Sequence, residues 1–159
     1  MPTHPVRPFE WIDSAPIVVD RSVVIAAPPS AVWPHIADHE SWPEWFTDLD
    51  RVERIGSGEG VGSGRTVFVG RISIEEEFTA WEPDTVFAFA LTKTPLPFLE
   101  SMAEAVELSG DDERCTVRYR QAIETKRFLG FLGNLAAKRI EGQLTSALKN
   151  LQRRVETGR

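Results

Sequence analysis

The sequence has 159 residues, a length that favours a single domain. Its hydrophobic share of 42% and its charged share of 26% are ordinary for a globular protein and exclude a disordered or fibrous chain. There are 18 Lys and Arg residues against 24 Asp and Glu residues, which gives a net charge of −6. Because an acidic surface repels phosphate backbones, we expect no nucleic-acid partner.

Residues 1–16 are predicted to form an N-terminal extension, and residues 17–159 a single domain. The extension holds four of the 11 prolines, a residue that fixes φ and removes a hydrogen-bond donor. It has no apolar stretch of the kind found in secretory signals, so we expect a cytoplasmic location. The longest apolar run in the chain is Val86–Leu91, which is far too short to span a bilayer, so no stable membrane insertion is expected.

The domain begins with a strand that is followed by two short helical segments. Ile17–Ala26 is rich in β-branched residues, which favour a strand. The apolar spacing in Ala31–Ala37 predicts a short helix, and Ser41–Phe46 predicts a second helical segment directly after it.

The middle of the chain predicts six more strands, because apolar and polar residues alternate with a period of two. These strands are Arg51–Ile55, Arg65–Val69, Arg71–Trp81, Thr85–Leu91, Leu99–Ser109 and Arg114–Thr125. Turn-forming sequences separate them and no helical period lies between them, so the strands are predicted to be antiparallel neighbours.

The C-terminal part of the chain predicts one long amphipathic helix of about 24 residues. Its apolar stripe recurs at steps of three and four residues and comprises Leu132, Leu135, Ala136, Arg139, Ile140, Gln143, Leu144, Ala147, Leu148, Leu151 and Val155. A helix of this length crosses the full width of such a domain, so we expect it to pack along the sheet.

Four features together resemble the START-like (SRPBCC) superfamily, in its polyketide cyclase/dehydrase branch. They are Ala26–Trp33 leading into the first helix, the Trp42–Phe46 segment, the strand end Trp81–Pro83, and Gly130–Gly133 at the entry to the last helix. The resemblance covers about residues 18–156. It implies an α+β helix-grip fold, in which a seven-stranded antiparallel sheet wraps around the C-terminal helix, with two short helices after the first strand.

The resemblance also implies a cavity between the sheet and the last helix that binds an apolar or amphipathic small molecule. Members of this branch include aromatase/cyclases, and also carriers without chemistry. The enzymes carry an arginine late in the long middle strand, where this chain has Thr79-Ala80-Trp81. Whether this chain is an enzyme is therefore left open by the sequence.

Two carboxylates are candidates for chemistry inside the predicted cavity. Glu76 and Glu104 share the phase of apolar neighbours on their strands, which places both on the concave side of the sheet. A desolvated carboxylate there could orient a ligand or act as an acid or base. The alternative is that each is paired with an arginine, for example Arg65.

Tyr119 and Gln121 share the phase of Val117 and Ile123, so they are candidates to add a hydroxyl and an amide to the interior. Tyr119 is a third catalytic candidate beside the two carboxylates. The predicted ligand-binding set is Trp45, Phe78, Phe87, Phe89, Met102, Glu104, Tyr119, Gln121, Phe131 and Leu135.

No metal and no cofactor are expected. Cys115 is the only cysteine, which excludes a multi-cysteine metal site. His35 and His39 have a spacing that could hold a metal, but further ligands are scarce, and both are interpreted as surface histidines.

Three hypotheses for function remain at this point. The first is a binding protein for a hydrophobic, lipid-like or polyketide-like small molecule, acting as a monomer or homodimer. The second is a polyketide aromatase/cyclase that cyclises and dehydrates a poly-β-ketone. The third is an interaction module that acts through its N-terminal extension.

Overall fold

The computed structural model describes residues 1–158 of the chain. It consists of one twisted sheet, a short helix, two 3₁₀ helices and a long C-terminal helix. The strands are β1 (Ile17–Ile25), β2 (Arg51–Ile55), β3 (Gly64–Val69), β4 (Ile72–Glu82), β5 (Val86–Lys93), β6 (Leu99–Gly110) and β7 (Cys115–Thr125). The helices are α1 (Pro29–Ala37) and α2 (Gly130–Thr157), with 3₁₀ helices at Phe9–Ser14 and His39–Glu44.

The sheet has the strand order β1-β7-β6-β5-β4-β3-β2, and every neighbouring pair is antiparallel. The predicted seven-stranded helix-grip fold is therefore confirmed, as are the two short helices after β1. β1 pairs with β7, so the first and last strands lie side by side. α2 follows β7 and lies across the concave face.

Alternation along the central strands divides the sheet into two faces. Phe87 and Phe89 of β5 join the core on the concave side, whereas Ala88 and Ala90 between them face the other way. The concave core also contains Trp42, whose indole N–H donates to the carbonyl of Ile36 over 3.0 Å. This bond joins the 3₁₀ helix His39–Glu44 to α1, and the Trp42 ring lies in the core at the inner face of the sheet.

α2 has 28 residues and lies close to β1 and β7 near its start. Its buried residues are Gly133, Leu144, Ala147, Leu148 and Leu151. A Cβ atom at Gly133 would lie 2.6 Å from Thr125 Cγ2 and 2.7 Å from Ile17 Cδ1. A larger residue at this position would therefore have to displace these two side chains or the helix.

The first 16 residues lie on the convex face of the sheet. The backbone N–H of His4 donates to the Thr92 carbonyl over 2.8 Å, and its Nδ1 donates to the Glu100 carbonyl over 2.9 Å, so it links β5 to β6. Ile12 is buried against the alanines of the convex face. The extension is therefore packed onto the domain.

Candidate functional site

A cavity of about 210 Å³ lies between the concave face of the sheet and α2. Its walls come from the 3₁₀ helix His39–Glu44 and the segment after it, from the four strands β3, β4, β6 and β7, from the β5–β6 loop and from α2. They are mainly apolar and include Trp42, Phe46, Leu49, Val67, Val69, Ile72, Ile74, Leu96, Phe98, Leu99, Met102, Ile123, Ala136 and Ile140. The helix-grip fold thus leaves room for an apolar molecule rather than closing completely on its core.

A buried ion pair lies on the floor of the cavity. Arg65 and Glu76 are opposite each other on β3 and β4, and Arg65 Nε donates to Glu76 Oε2 over 2.7 Å. Their side chains are only 2% and 5% exposed. Burying two charges is unfavourable unless they are paired and hydrogen-bonded, so this pair is held by direct contact and by the hairpin register that aligns the two residues.

The guanidinium of Arg65 is held between aromatic rings and is incompletely paired. Its Cζ lies 4.2 Å from the ring centroid of Trp42 and 4.3 Å from that of Phe89, distances at which a cation is attracted to an aromatic face. Among the residues that the structure describes, its Nη1 has no hydrogen-bond partner. One donor of a buried cation in the cavity lining is therefore unpaired.

Glu104 and Tyr119 complete the polar floor. The Tyr119 hydroxyl donates to Glu104 Oε1 over 2.7 Å, and both side chains are buried. Burial, together with the charge of Glu76, raises the pKa of Glu104 to about 8. Burial, reinforced by Glu104, also raises the pKa of the Tyr119 hydroxyl.

The two carboxyl groups have different partners, an arginine for Glu76 and a tyrosine hydroxyl for Glu104. Burial raises the pKa of Glu76 as well, but the charge and hydrogen bond of Arg65 oppose that shift. Glu76 is thus held in direct contact with the Arg65 guanidinium, and Glu104, with a pKa of about 8, keeps its proton at neutral pH. A neutral carboxylic acid and an incompletely paired guanidinium can both donate hydrogen bonds to an oxygen atom of a molecule in the cavity.

Some of the predicted site residues come together at this cavity. Met102, Glu104, Tyr119 and Gln121 line it, as does the catalytic candidate Glu76. Gln121 Nε2 lies 3.1 Å from Met102 Sδ, so these two side chains are in contact at the wall. The alternation in β4, β6 and β7 was sufficient to place all five on the inner face.

Other predicted ligand-binding residues lie outside the cavity lining. Trp45, Phe78, Phe87 and Phe89 are fully or almost fully buried in the aromatic core, where they pack against one another and against Trp42. Phe131 and Leu135 are 61% and 62% exposed on the outer side of α2. The aromatic rings thus fill the space beside the cavity, and the ring of Phe89 packs against the guanidinium of Arg65.

Arg65 was not among the predicted cavity residues, although it was named as a partner for a carboxylate. The sequence pointed to a missing arginine in β4, whereas the structure has a cavity arginine on β3. The signal that could have located it is the alternation of Arg65, Val67 and Val69, which places all three on one face of β3. Phe68 lies between the two valines, and because it is also apolar the alternation of the two faces is hard to recognise in the sequence.

The structure changes the interpretation of one histidine. His39 is 2% exposed, and its Nε2 donates to the Gly58 carbonyl over 2.8 Å. Its ring packs edge-on against Phe78 with 5.1 Å between the centroids, so the prediction of a surface residue was wrong. Within residues 1–158 no group of three or more His, Cys, Asp or Glu side chains could hold a metal ion.

The grip of a curved antiparallel sheet on a long helix, with a cavity between them, defines an α+β helix-grip domain. Residues 16–156 match the sequence model of the family described as polyketide cyclase / dehydrase and lipid transport. The chain belongs to this family, a branch of the START-like superfamily, and the resemblance seen in the sequence is confirmed. The family implies a cavity for a hydrophobic ligand.

Similar proteins agree with this assignment. An uncharacterized protein of Mycobacterium tuberculosis is 29% identical over 117 residues, which cover 72% of this chain and 70% of the relative. The ZhuI aromatase/cyclase from Streptomyces sp. R1128 is 21% identical, with a TM-score of 0.70 over 89% of this chain and 97% of the other. A START superfamily protein from Mycobacterium smegmatis is 15% identical, with a TM-score of 0.68 over 89% of this chain and 99% of the other. At these identities the two structures show the shared fold.

Within residues 1–158, none of the helices combines the length and the hydropathy that crossing a membrane requires.

Proposed function

We propose that the protein binds a compact amphipathic molecule whose oxygen-bearing end lies on the polar floor of the cavity. The observation that carries the proposal is the unpaired Nη1 of Arg65, which belongs to a nearly fully buried cation at the inner end of an apolar cavity. A buried donor without a partner is unfavourable, and a ligand oxygen would satisfy it.

The volume of the cavity sets the size of the molecule. Pockets for drug-sized ligands are usually about 300–1,000 Å³, whereas an apolar cavity of about 150 Å³ is enough for benzene. A cavity of about 210 Å³ therefore suits a molecule of one or two rings, or a short chain. Its apolar part would contact Met102, Ile140 and the partly buried Leu96 and Phe98.

A matched pair of probes tests this proposal. Titration calorimetry with 2-naphthol and naphthalene compares two rings of similar size that differ by one hydroxyl group. We expect 2-naphthol to bind about tenfold more tightly, because it alone can hydrogen-bond to Arg65 or Glu104. Failure of both probes to bind would contradict the proposal. Equal affinities would show that the polar floor does not contribute to binding.

Two variants of α2 provide the structural control. Ala136→Phe places a large side chain into the cavity and is expected to abolish binding of 2-naphthol. Leu135→Phe, one residue earlier on the exposed side of the helix, is expected to leave it unchanged. The same loss in both variants would mean that the probe does not bind in this cavity.

A second candidate is a polyketide cyclase or dehydrase, which the chemistry of Glu104 favours. A carboxyl group with a pKa of about 8 can exchange a proton near neutral pH, and Arg65 could polarise a neighbouring ketone. Glu104 would then assist enolisation of one carbonyl, attack of its α-carbon on a second carbonyl, and loss of water from the resulting alcohol.

This second candidate is tested with a poly-β-ketone substrate and the appearance of an aromatic chromophore. Glu104→Gln and Tyr119→Phe are expected to lower kcat while both variants still bind 2-naphthol. If both variants cyclise the substrate as fast as the parent protein, neither residue is catalytic. A fall in naphthol affinity parallel to the fall in kcat would indicate a binding role instead.

A further inference from the structure

The start of α2 and the turn before it carry three large apolar side chains that are exposed to solvent. Phe128 is 85% exposed, Phe131 61% and Leu135 62%. Phe128 has a positive φ of 69°, a backbone conformation that side-chain-bearing residues adopt rarely, and the Arg127 guanidinium lies 5.0 Å from its ring centroid. These apolar groups form one local surface, because residues 131 and 135 are one turn apart on the helix.

The same segment is positively charged in a negatively charged protein. Residues 126–139 contain Lys126, Arg127, Lys138 and Arg139 and no Asp or Glu, while the whole chain has a net charge of −6. Glutamates flank the segment, but each is paired with an arginine: Glu124 with Arg7 at 2.8 Å and Glu141 with Arg21 at 3.4 Å. We call residues 126–139 the basic apolar surface.

This surface adjoins the cavity. The backbone N–H of Lys126 donates to the carbonyl of Phe98 over 2.8 Å, which joins the turn before α2 to the β5–β6 loop. Phe98 itself lines the cavity, and so do Ala136 and Ile140 on α2. A molecule docked on the basic apolar surface would therefore lie beside the apolar end of the cavity, opposite the polar floor.

We propose that the basic apolar surface docks the protein onto anionic lipid membranes. Phe128, Phe131 and Leu135 would enter the interfacial layer, and the four cationic side chains would contact lipid phosphates. Aromatic and leucine side chains flanked by Lys and Arg are the composition that lies in the plane of a membrane interface. The exposed side chains of this surface lie outside the cavity, so their contact with a membrane does not depend on the identity of the cavity ligand.

Charge also argues against the other occupant that an exposed apolar surface suggests, a second copy of the chain. A symmetric dimer through this surface would place the same four cations of each copy opposite one another, without a free carboxylate in the segment to compensate them. An anionic membrane instead supplies many negative charges to the same four groups.

The test is cosedimentation of the full chain with vesicles of phosphatidylcholine, with and without phosphatidylserine. We expect binding to the vesicles that contain phosphatidylserine, weaker binding without it, and release as salt is raised. The double variants F128S/F131S and K126Q/R127Q are each expected to lower the partition coefficient about tenfold or more. Because these side chains are exposed, the melting temperature should stay unchanged.

Matched controls change the same kinds of residue elsewhere. Val61 is 67% exposed in the β2–β3 loop, and Arg114 is exposed at the opposite end of β7 from the basic apolar surface. Val61→Ser and Arg114→Gln are expected to bind vesicles like the parent protein. The proposal is overturned if the parent protein does not bind vesicles with phosphatidylserine, binds both vesicle types equally, or loses binding equally in the controls. It is also overturned if the double variants instead convert a dimer into a monomer.

Discussion

The two faces of the sheet come from the same strands but differ in how they are filled. On the concave face, alternate residues of the central strands are large or polar, and a cavity remains between them and α2. On the convex face the alternate residues are small, and the extension packs directly on them. The small residues are Ala88, Ala90, Ala103, Ala105 and Ala122, each no more than 1% exposed. Residue size on alternate positions thus decides which face is closed and which is hollow.

The difference extends to the two buried arginines. Arg120 on the convex side pairs with Glu107 at 2.6 Å and with Asp13 of the extension at 2.7 Å. Within residues 1–158, Arg65 on the concave side pairs with Glu76 alone and has an unpaired Nη1. A cation with two carboxylate partners is a structural connection between the extension and the sheet, whereas the incompletely paired cation beside a cavity is a candidate ligand contact.

The largest effect is expected from removing the concave cation. Arg65→Met leaves the buried Glu76 without its partner and should lower the free energy of unfolding by about 3–5 kcal/mol. Urea denaturation measures this loss. The double variant R65M/E76L replaces both charges with apolar groups and should recover most of it. If the double variant is as unstable as the single one, the pair is not what holds this part of the face.

The next effect is a pH dependence that arises on the concave face. Glu104 has a pKa of about 8 in the folded state, against 4.5 for a free carboxyl. Below the lower value both states are protonated. As pH rises between the two values the unfolded chain loses this proton and the folded protein keeps it, so stability falls with pH and levels off above about 8.

Glu104→Gln should remove this dependence. From about pH 5 to about pH 7.5, the variant is expected to gain about 3 kcal/mol of stability relative to the parent protein, as measured by urea denaturation. Glu113→Gln, at the exposed β6–β7 turn, controls for the loss of one carboxyl group. A constant difference between parent and E104Q across this range would mean that Glu104 is ionised in the folded protein.

The third prediction concerns the convex face. Ile12 of the extension is 1% exposed against the sheet, and Ile12→Ala should lower the free energy of unfolding by about 2–3 kcal/mol through lost burial and a cavity. The affinity for 2-naphthol should stay unchanged, because the two faces are separated by the sheet. Val6→Ala, at a position 40% exposed, provides the control. A parallel loss of probe binding would contradict the separation of the two faces.

The smallest effect is expected at the hydroxyl of Tyr119. Tyr119→Phe removes the hydrogen bond to Glu104 and should lower the free energy of unfolding by about 1 kcal/mol. Thermal denaturation together with naphthol titration checks this. A much larger loss of stability would show that the hydroxyl supports more of the concave face than this one bond.

Much of the fold could be predicted because alternation is a direct consequence of strand geometry. Every predicted strand is present within about two residues of its observed bounds. The same alternation placed Glu76 and Glu104 on the inner face. It could not distinguish a ring that lines a cavity from one that fills the core, because both positions share the phase; Phe78 and Phe87 are of the second kind.

The helix stripe misplaced Leu135 for a different reason. Leu135 and Leu144 were predicted to share one face, but nine residues correspond to about two and a half turns, so they lie on opposite sides of α2. Leu144 is fully buried and Leu135 is 62% exposed. Steps of three and four residues each preserve a face only approximately, and the deviations accumulate along a long helix.

The spacing between α2 and the sheet depends on the side chain of Gly133, which is a single hydrogen atom. Replacing it with any other residue would push against Thr125 and Ile17, side chains of the two strands beneath α2. Either these two side chains or the helix would have to shift, and the packing between α2 and the sheet would change. The range of molecules that the cavity accepts could thus be altered at a residue that does not line it.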